Sequence, residues 1–530
     1  MPDIEVVNTG KTYSCLSGGS LLRTLLDGGE FIDNACNGVG VCGKCKIKIV
    51  SGKISPPVDC ELKLLTAAEL AEGIRLACMV EVYGNTVVEL LQKELKHKVL
   101  VKGYMPDDFV PDSHESGYGA AIDIGTTTVV TALVDMKSGD EIAHASMVNA
   151  QKSYGLDVLT RITYEYENGE KGIHELQDAI VGSINDMLDE ACAKVGLDRH
   201  LVEHISVGAN CTMMHMLLGV DARSIGKSPF IPEFKEAKTL KCADIGIDVA
   251  PNAELYCLPQ VSGYIGADIV AGAYVCELDK VDENVLFIDI GTNGEIVLSR
   301  KGELLCCSCA AGPALEGMNI SSGMRAADGA IEDVFVSEDG IELHTIGDKK
   351  PIGICGSGIL AILRELLKTG IVTKRGAFIK YDEIADDDWR KKYIRLNGSK
   401  REFVMHEEPE ILVTQGDVRQ VQLAKGAILS GFIALLNKAG IGMEDLDCVM
   451  IAGQFGAHLP EDSLISVGIL PEAVRGKMKY VGNSSKTGAY MALMSKKARQ
   501  DIEQLADKMQ YFELAESDNY ERLLMKASIF

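Results

Sequence analysis

The sequence predicts a multidomain protein that joins a small α+β domain to a larger α/β domain made of two similar lobes. Its 530 residues exceed what one hydrophobic core usually supports. Two stretches, beginning at residues 120 and 286, share one pattern: an apolar strand followed by Asp, any residue, Gly and Thr. A separate cysteine-rich stretch occupies residues 36–45. The repeated pattern predicts the two lobes, and the clustered cysteines predict a domain with metal or redox chemistry.

The cysteine-rich stretch has the spacing Cys-x5-Cys-x2-Cys, and a further cysteine follows after 32 residues. Four thiolates are what a 2Fe–2S cluster requires, here three from one glycine-rich loop and one from elsewhere. The glycines allow the loop to wrap the cluster and leave amide groups free to bond its sulfurs. A structural zinc site is the alternative, but such sites usually pair their cysteines two by two. The predicted ligands are Cys36, Cys42, Cys45 and Cys78.

Charge and hydropathy exclude several classes of partner. The formal net charge is -24, so nucleic acid and anionic membranes are not expected partners. No apolar run reaches about 18 residues, and the first residues lack a basic segment, so we expect a cytoplasmic protein without a membrane span. In that compartment the 16 cysteines are not expected to form disulfides. Cys15 and Cys60 fit no ligand spacing and are predicted to be packing residues.

The first 116 residues divide into a folded region and a connection. Residues 1–92 contain short strand-like runs around the cysteine loop and resemble a 2Fe–2S ferredoxin domain with β-grasp topology. Residues 93–116 are polar, carry prolines at 106 and 111, and show no sustained periodicity. They are predicted to be a linker.

The two repeated stretches are predicted to be strand–turn hairpins that bind phosphate. A glycine after the strand allows the backbone to approach a ligand closely, and successive amide groups of a turn can cradle an anion. The hydroxyl groups add donors for phosphate oxygens, and each aspartate is placed to hold a hydrated cation. The candidate residues are Asp123, Gly125, Thr126, Thr127 and Thr128 in the first hairpin, and Asp289, Gly291, Thr292, Asn293 and Gly294 in the second.

Other segments complete the predicted α/β domain. Residues 204–219 form a strand, a small-residue turn and an apolar helix, in which His215 is expected to be structural. Cys306 to Cys309 are expected in a loop at the mouth of a site, and residues 374–410 in an irregular surface segment. A long helix is predicted from Asp417 to Lys438. Strands that end in glycine turns near Gly453 and Gly482 are typical ligand-binding positions in α/β folds.

Taken in order, the motifs of residues 117–530 resemble the superfamily of acetate kinase, sugar kinases, chaperone ATPases and actin. The resemblance implies a duplicated ribonuclease H-like fold with lobes at about 117–285 and 286–530. It assigns the two hairpins to phosphate binding and residues 451–456 to adenosine binding, with Gly453, Gly456 and Lys425 contacting the nucleoside. The segments near 208–212 and 482–489 would connect the lobes.

A cysteine cluster fused to such an ATPase resembles the reductive activators of corrinoid proteins. That resemblance implies ATP-dependent transfer of one electron from the 2Fe–2S cluster to Co(II) of a corrinoid protein, which regenerates Co(I) for methyl transfer. Asp123 and Asp289 would be catalytic, holding Mg²⁺ and orienting water. A low-potential donor would reduce the cluster, and a homodimer is one assembly the sequence allows. The sequence is expected to depart from the family in having only a short linker where some members carry a middle domain.

Three alternatives remain open from the sequence. The protein could activate another low-potential enzyme, such as a radical dehydratase. It could be a redox-sensing, chaperone-like ATPase, or a kinase with an appended ferredoxin domain. The identity of the electron acceptor separates the first two from corrinoid activation, and a phosphorylated product would identify the third.

Overall fold

The computed structural model describes residues 1–30, 32, 38, 40, 43–91, 103–107, 109–112, 117–398, 400–453 and 459–530. The chain divides into two compact units: one contains residues 1–96 and 153–156, the other residues 97–152 and 157–530. The first unit corresponds to the predicted ferredoxin domain and the second to the predicted ATPase domain. Each is described separately.

The ferredoxin unit is a six-stranded mixed sheet packed against short helices. Its main strand order is β2-β1-β6-β4-β5, with β3 paired to β6, and β1 lies parallel to β6. Apolar side chains that include Ile4, Leu21, Leu25 and Ile47 form its core. The elements are β1 Asp3–Val6, β2 Lys11–Ser14, β3 Gly19–Ser20, α1 Leu21–Asp27, β4 Lys46–Ile54, α2 Asp59–Leu64, α3 Ala67–Ala71, β5 Ile74–Leu76 and β6 Glu81–Leu90.

The first lobe of the ATPase unit is built on a six-stranded sheet in the order β11-β12-β10-β7-β8-β9. The strands β7, β8 and β9 are antiparallel neighbours, whereas β10 and β12 add in parallel. The elements are β7 Tyr118–Ile124, β8 Thr128–Asp135, β9 Glu141–Val148, α4 Val158–Asn168, α5 Glu170–Val195, β10 Val202–Ala209, α6 Cys211–Leu218, β11 Lys238–Lys241, β12 Glu254–Cys257 and α7 Ala267–Val275.

The second lobe repeats this arrangement. Its main sheet has the order β23-β22-β13-β14-β15-β24, again with three antiparallel strands followed by parallel ones. The elements from residue 284 onward, of which α11 and α12 pack on the first lobe, are β13 Asn284–Ile290, β14 Gly294–Arg300, β15 Glu303–Cys309, β16 Ala330–Ser337, β17 Gly340–Thr345, β18 Gly353–Ile354, α8 Gly356–Lys368, β19 Ile394–Asn397, β20 Lys400–His406, β21 Ile411–Thr414, α9 Gln415–Ala439, β22 Cys448–Ala452, α10 Glu461–Val467, β23 Met478–Gly482, α11 Ser484–Met494, α12 Lys496–Lys508, β24 Gln510–Tyr511 and α13 Tyr520–Ala527.

The matching strand orders confirm the predicted fold class, with duplicated sheets in the ATPase unit. Each predicted phosphate hairpin lies at the same place in its sheet: β7–β8 in the first lobe and β13–β14 in the second. The central strands have their apolar residues buried on both faces, because helices cover both sides of the sheet. The duplication therefore brings two equivalent hairpins to one interlobe space.

Two local predictions are wrong for identifiable reasons. Cys306, Cys307 and Cys309 lie on β15, a buried strand paired with β14, and do not form a loop. Their small apolar side chains suit a strand in the core of the lobe. Residues 374–410 are not wholly irregular, because β19 and β20, together with β21, form a three-stranded antiparallel sheet. Charged side chains on its outer face mask the strand pattern.

The connections between the lobes also differ in part from the prediction. Residues 208–212 stay within the first lobe, since α6 is followed by β11 and β12 of the same sheet. The first crossing is made by α7, which precedes the second-lobe strand β13. The second crossing lies where predicted: α11 follows the second-lobe strand β23 and packs on β7, β10 and α7. Within the described parts of the chain, no helix is long and apolar enough to span a membrane.

Candidate functional site

Two of the four predicted cluster ligands lie in the described part of the ferredoxin unit. The Sγ atoms of Cys45 and Cys78 are 3.3 Å apart although 33 positions separate them in the chain. Cys45 is buried, and Cys78 is partly exposed. Cys36 and Cys42 lie outside the described residues. The two described thiols are therefore brought together as ligands of one metal centre require.

A buried ion pair fixes the turn that carries Cys78. Glu61 on α2 accepts two hydrogen bonds from the guanidinium of Arg75, at 2.8 and 2.6 Å, and one from the amide of Leu76 at 3.0 Å. The next amide, that of Ala77, donates to Cys45 O at 2.8 Å. This network holds α2, β5 and the strand after Cys45 in one register, and thereby sets the distance between the two thiols.

The glycines of the cysteine loop have conformations that other residues rarely adopt. Gly38, Gly40 and Gly43 have φ angles of 84°, 80° and 66°. A methyl group on Gly40 would lie 2.8 Å from Met79 Cε and 3.2 Å from Cys60 Sγ. The residues present therefore fit a 2Fe–2S cluster: two converging thiols and a loop that turns tightly at three glycines.

A cavity of about 310 Å³ lies between the two lobes of the ATPase unit. Ten of the predicted phosphate and nucleoside residues line it: Asp123, Gly125, Thr126, Thr127, Thr128, Asp289, Gly291, Thr292, Asn293 and Gly453. No Lys, Arg or His is among the described lining residues, whereas six carboxylate side chains are. The structure thus gathers both hairpins at one acidic site.

The first hairpin is held by hydrogen bonds from buried side chains. Within the turn, Gly125 N donates to Thr128 O at 2.9 Å, and a methyl group at Gly125 would lie 2.8 Å from the same oxygen. The side-chain amide of Asn149 donates to Gly125 O at 2.9 Å. The guanidinium of the fully buried Arg161 donates to Thr126 O at 2.6 Å, and the side-chain amide of Asn210 donates to Thr126 Oγ1 at 3.0 Å. The hydroxyl and amide groups of the turn are therefore preorganised.

The carboxylate of Asp123 is oriented by residues from the other end of the chain. Asn483 Nδ2 donates to its Oδ2 at 2.9 Å, and Ser485 Oγ donates to its Oδ1 at 2.7 Å. Both donors lie at the start of α11, which enters from the second lobe. Burial raises the pKa of Asp123, while these hydrogen bonds and the charge of Lys486 oppose the rise.

In the second hairpin, Gly453 packs closely against the side chain of Asp289. A methyl group on Gly453 would lie 2.4 Å from Asp289 Oδ1, so glycine is required where β22 ends. Thr292 Oγ1 donates to Glu316 Oε1 at 2.6 Å. Burial, together with the charges of Asp123 and Glu316, raises the pKa of Asp289 to about 7. The charge of Asp123 on the first hairpin therefore affects the protonation of Asp289 on the second.

Sequence reasoning missed four acidic residues of the cavity: Asp157, Asp268, Glu295 and Glu316. Asp268 lies in the first turn of α7, and burial, followed by the charges of Asp289 and Asp123, raises its pKa to about 8. Glu295 and Glu316 also line the cavity, and burial raises the pKa of each. Glu295 directly follows the second predicted hairpin, whereas Asp268 belongs to neither copy of the repeated pattern. The one local signal was Gly266-Ala267-Asp268 at the start of an apolar helix.

Two predicted nucleotide residues, Gly294 and Lys425, do not line the cavity. Gly294 packs inside its lobe, where a methyl group would lie 2.8 Å from Cys309 Sγ. Lys425 on α9 donates to Ala527 O at 2.6 Å and also to Ile529 O, so its ammonium group is bonded to the segment after α13. Gly456 lies outside the described residues.

His215 has the structural role that was expected. It is fully buried, its ring stacks on Phe234 with centroids 4.5 Å apart, and its Nε2 accepts from Glu233 N at 3.1 Å. Burial lowers the pKa of its imidazole, which favours the neutral form. Among the described residues, no three His, Cys, Asp or Glu side chains are arranged to hold a metal ion by themselves. A cation in the cavity would need oxygen ligands from another source, such as a bound phosphate or water.

The fold and the sites together define a class: a 2Fe–2S ferredoxin domain joined to an ATPase domain of the actin-like type. Family models match in the same order. Residues 4–83 match the 2Fe–2S iron–sulfur cluster binding domain, residues 118–281 the RACo middle region, and residues 283–530 the C-terminal domain of RACo, the ASKHA domain.

Relatives and a solved structure agree with these matches. The corrinoid activation enzyme RamQ of Eubacterium limosum is 36% identical over 406 residues, covering 75% of this chain and 68% of that protein. The Co(II) methylated amine-specific corrinoid protein reductase of Methanosarcina barkeri is 25% identical, covering 74% and 73%. A solved reductive activator for corrinoid, iron–sulfur protein covers 100% of this chain and 98% of its own, with 29% identity and a TM-score of 0.70.

The chain therefore belongs to the family of corrinoid-protein reductive activators. The middle region of the family is present, because the first lobe itself matches it. The sequence motif of the first hairpin lies within that region, and the short linker before the motif stays a prediction.

Proposed function

We propose that this protein reactivates a corrinoid protein by ATP-dependent reduction of its cobalt from Co(II) to Co(I). The observation that carries the proposal is the pairing of Asp123 and Asp289 across one cavity in a chain that also folds a ferredoxin unit. Membership of the activator family supports the acceptor class. We propose a low-potential one-electron donor as the source of electrons, and a homodimer as the assembly.

The ferredoxin unit would supply the electron. A 2Fe–2S cluster held by Cys36, Cys42, Cys45 and Cys78 provides one-electron transfer at low potential. The protein's own contribution is the converging pair Cys45 and Cys78, fixed by the Glu61–Arg75 network, and the loop glycines that leave amide groups free to bond sulfur.

The acidic cavity favours a nucleotide that arrives with a divalent cation. Six carboxylates without a basic partner among the described lining residues would repel a bare triphosphate. Mg²⁺ bound with the phosphates removes that repulsion and keeps several waters, which suits outer contacts with Asp123 and Asp289. We propose that the hydroxyl groups of Thr126 and Thr127 donate to phosphate oxygens. The hydroxyl of Thr292, which donates to Glu316 in this structure, would turn from that carboxylate to the phosphate.

Nucleotide binding would drive an unfavourable reduction through differential binding. For one electron, each 59 mV uphill costs about 1.4 kcal/mol, so a gap of a few hundred mV costs roughly 5 kcal/mol or more. A ligand can supply this only if it binds two protein states differently. Because α7 and α11 cross between the lobes beside the cavity, we propose that ATP binding and hydrolysis close and reopen the lobes and so release the reduced partner.

The decisive experiment measures all three activities on one preparation. Wild-type protein with a reconstituted cluster is mixed anaerobically with a Co(II) corrinoid protein of a methyltransferase system and a reductant, with or without Mg-ATP. Visible spectra report the cluster and the cobalt state, and phosphate release reports hydrolysis. We expect Co(I) only with Mg-ATP, and no Co(I) after addition of EDTA.

Asp123→Ala tests the nucleotide site, and Asp140→Ala is its matched control. Asp140 is exposed on the β8–β9 turn. Asp123→Ala is expected to lose at least about 100-fold in ATP turnover while keeping the cluster spectrum, whereas Asp140→Ala keeps both. ATP hydrolysis without Co(II) reduction would contradict the proposal and favour a redox-sensing ATPase or another electron acceptor.

A further inference from the structure

The described residues of the predicted linker are bound along α11. We call residues 103–107 and 109–112 the anchor segment. Gly103 forms an antiparallel bridge with Gly482, and Tyr104 N donates to Val481 O at 2.8 Å. Because β23 is the outermost strand of the second-lobe sheet, this isolated bridge lies at the edge of the sheet.

The anchor segment touches the residue that orients Asp123. A methyl group on Gly103 would lie 2.3 Å from Asn483 O and 2.3 Å from Thr487 Oγ1. Contacts this short require a hydrogen at that position. Asn483 thus contacts Gly103 through its backbone carbonyl and Asp123 through its side-chain amide.

The far end of the anchor segment is fixed at the other end of α11. Asp112 N donates to Met494 O at 3.2 Å, and Lys496 N donates to Asp112 Oδ1 at 2.9 Å. Between the two ends, the ring of Phe109 meets that of Tyr490 edge to face at 6.2 Å. The segment therefore follows α11 from its first residue to its last.

The helix is equally well attached to the first lobe. Ser485 Oγ donates to Asp123, the buried Lys486 forms an ion pair at 2.6 Å with the exposed Glu141, and Tyr490 Oη donates to Gly139 O at 2.6 Å. A displacement of α11 would therefore alter both the orientation of Asp123 and the surface that the anchor segment contacts.

We propose that the anchor segment is a positioning element of the nucleotide site, which couples that site to the chain leading to the ferredoxin unit. The inference rests on the proposed function. The anchor segment holds the turn from Gly482 to Ser485 in place, so that Asn483 and Ser485 orient Asp123. By thermodynamic reciprocity, nucleotide bound beside Asp123 must in turn change the binding of the anchor segment to α11.

The test compares two glycine substitutions in the full-length protein. Gly103→Ala places a methyl group against Asn483, whereas Gly182→Ala on α5 places one in open space. We expect Gly103→Ala to weaken binding of a non-hydrolysable ATP analogue with Mg²⁺ by about tenfold, a typical coupling between sites. Gly182→Ala should bind as the wild type does, and the cluster spectrum should be unchanged in both.

A second readout separates coupling from a merely structural role. Amide hydrogen exchange of peptides covering the anchor segment is measured with and without the analogue. We expect the nucleotide to slow this exchange in the wild type and to have no such effect in Asp123→Asn. If Gly103→Ala does not fold, Phe109→Ala replaces it, because that substitution removes atoms and inserts none. We expect the same loss of affinity for the ATP analogue.

The outcomes distinguish the two proposals. If the wild type binds the analogue and protects residues 123–128 while the anchor segment does not respond, or if Gly103→Ala and Phe109→Ala bind it normally, the coupling is wrong and the proposed function stands. A wild-type protein that binds no nucleotide overturns both.

Discussion

At the scale of single residues, Cys45 and Cys78, the two predicted cluster cysteines that the structure describes, differ from Cys15 and Cys60 in facing each other. Cys45 and Cys78 face each other, whereas Cys15 is buried in the core of the ferredoxin unit. Cys60 lies beside the cysteine loop, with its sulfur near Gly40. Proximity to the loop alone therefore does not identify a ligand.

Serine substitutions test this assignment. We expect Cys78→Ser to abolish or strongly shift the visible absorption of the reconstituted protein, because serine replaces a thiolate with a poor ligand for iron. Cys60→Ser is the control and should keep the wild-type spectrum. Equal loss in both variants would show that Cys60 also matters for the metal centre, and an unchanged Cys78→Ser would remove Cys78 from the ligand set.

The protonation of Asp268 depends on burial and on the neighbouring carboxylates of Asp289 and Asp123. Asp268 faces Asp123 and Asp289, and its raised pKa of about 8 suits a group that accepts a proton near neutral pH. We expect Asp268→Asn to lower ATP turnover by about 100-fold with nucleotide affinity nearly unchanged, since general acid–base groups contribute at least that factor.

The control for Asp268 is another aspartate of the same cavity. Asp157 caps α4 by accepting from Thr160 N at 2.7 Å, and asparagine caps helices equally well. Asp157→Asn should therefore turn over ATP at close to the wild-type rate. Steady-state phosphate release and binding isotherms separate the two effects, and a normal rate in Asp268→Asn would rule out its catalytic role.

At the scale of elements, helix ends and turns explain how distant segments meet. The capping box of Thr414 and Asp417 starts α9, and Gly440 in the left-handed region ends it with φ of 68°. The sequence predicted this helix to within about two residues. It gave no indication that Asn483 and Ser485 at the start of α11 would reach Asp123, because that contact spans 360 positions.

The buried pair between α2 and β5 makes the ferredoxin unit sensitive to acid. Burial acts to raise the pKa of Glu61, but hydrogen bonds from Arg75, Leu76 and Val58 outweigh it and lower the pKa. A lowered folded-state pKa adds stability above the unfolded value of about 4.3, and that stability is lost as the pH falls through the folded value. Glu61→Gln should therefore destabilise the unit at pH 7 by about 3 kcal/mol, with a smaller difference below pH 4.

Thermal loss of the visible circular dichroism of the cluster reports this unit. Glu69→Gln is the matched control, because Glu69 pairs with Lys46 at 2.6 Å in a partly exposed setting. That pair is expected to contribute less than about 1 kcal/mol. A Glu61→Gln variant as stable as Glu69→Gln would contradict the role given to the buried pair.

At the scale of the whole molecule, the ATPase unit concentrates acidic side chains where its two lobes meet. In the nucleotide-free protein, Asp268 and Asp289 have raised pKa values of about 8 and about 7, against about 3.9 in an unfolded chain. The folded protein therefore binds more protons than the unfolded one between about pH 4 and pH 8. Stability should fall as the pH rises through that window.

Calorimetry of the nucleotide-free protein measures this dependence. We expect the melting temperature of the ATPase unit to drop by about 2 °C or more between pH 6 and pH 8.5. Mg-ATP should reduce the drop, because the cation offsets the carboxylate charges. Asp268→Asn should reduce it as well, and a melting temperature that rises over this interval would contradict the cavity electrostatics described above.

The sequence by itself determined the parts of this protein that short spacings encode. The two hairpins, the cysteine spacing and the glycine turns each lie within about ten consecutive residues, where backbone geometry and local hydrogen bonds decide the structure. Those signals were enough to predict the fold class and the family. They also predicted ten of the residues that line the cavity.

Only the tertiary structure decided which residues complete the sites. Asp268, Glu316 and Asn483 come from helices and turns that carry no phosphate pattern, and they reach the cavity because two sheets and two crossing helices pack together. The anchor segment acquires a role for the same reason, since Gly103 matters through a contact with a residue 380 positions away. Packing of long-range neighbours depends on the burial of whole elements, and no local spacing records it.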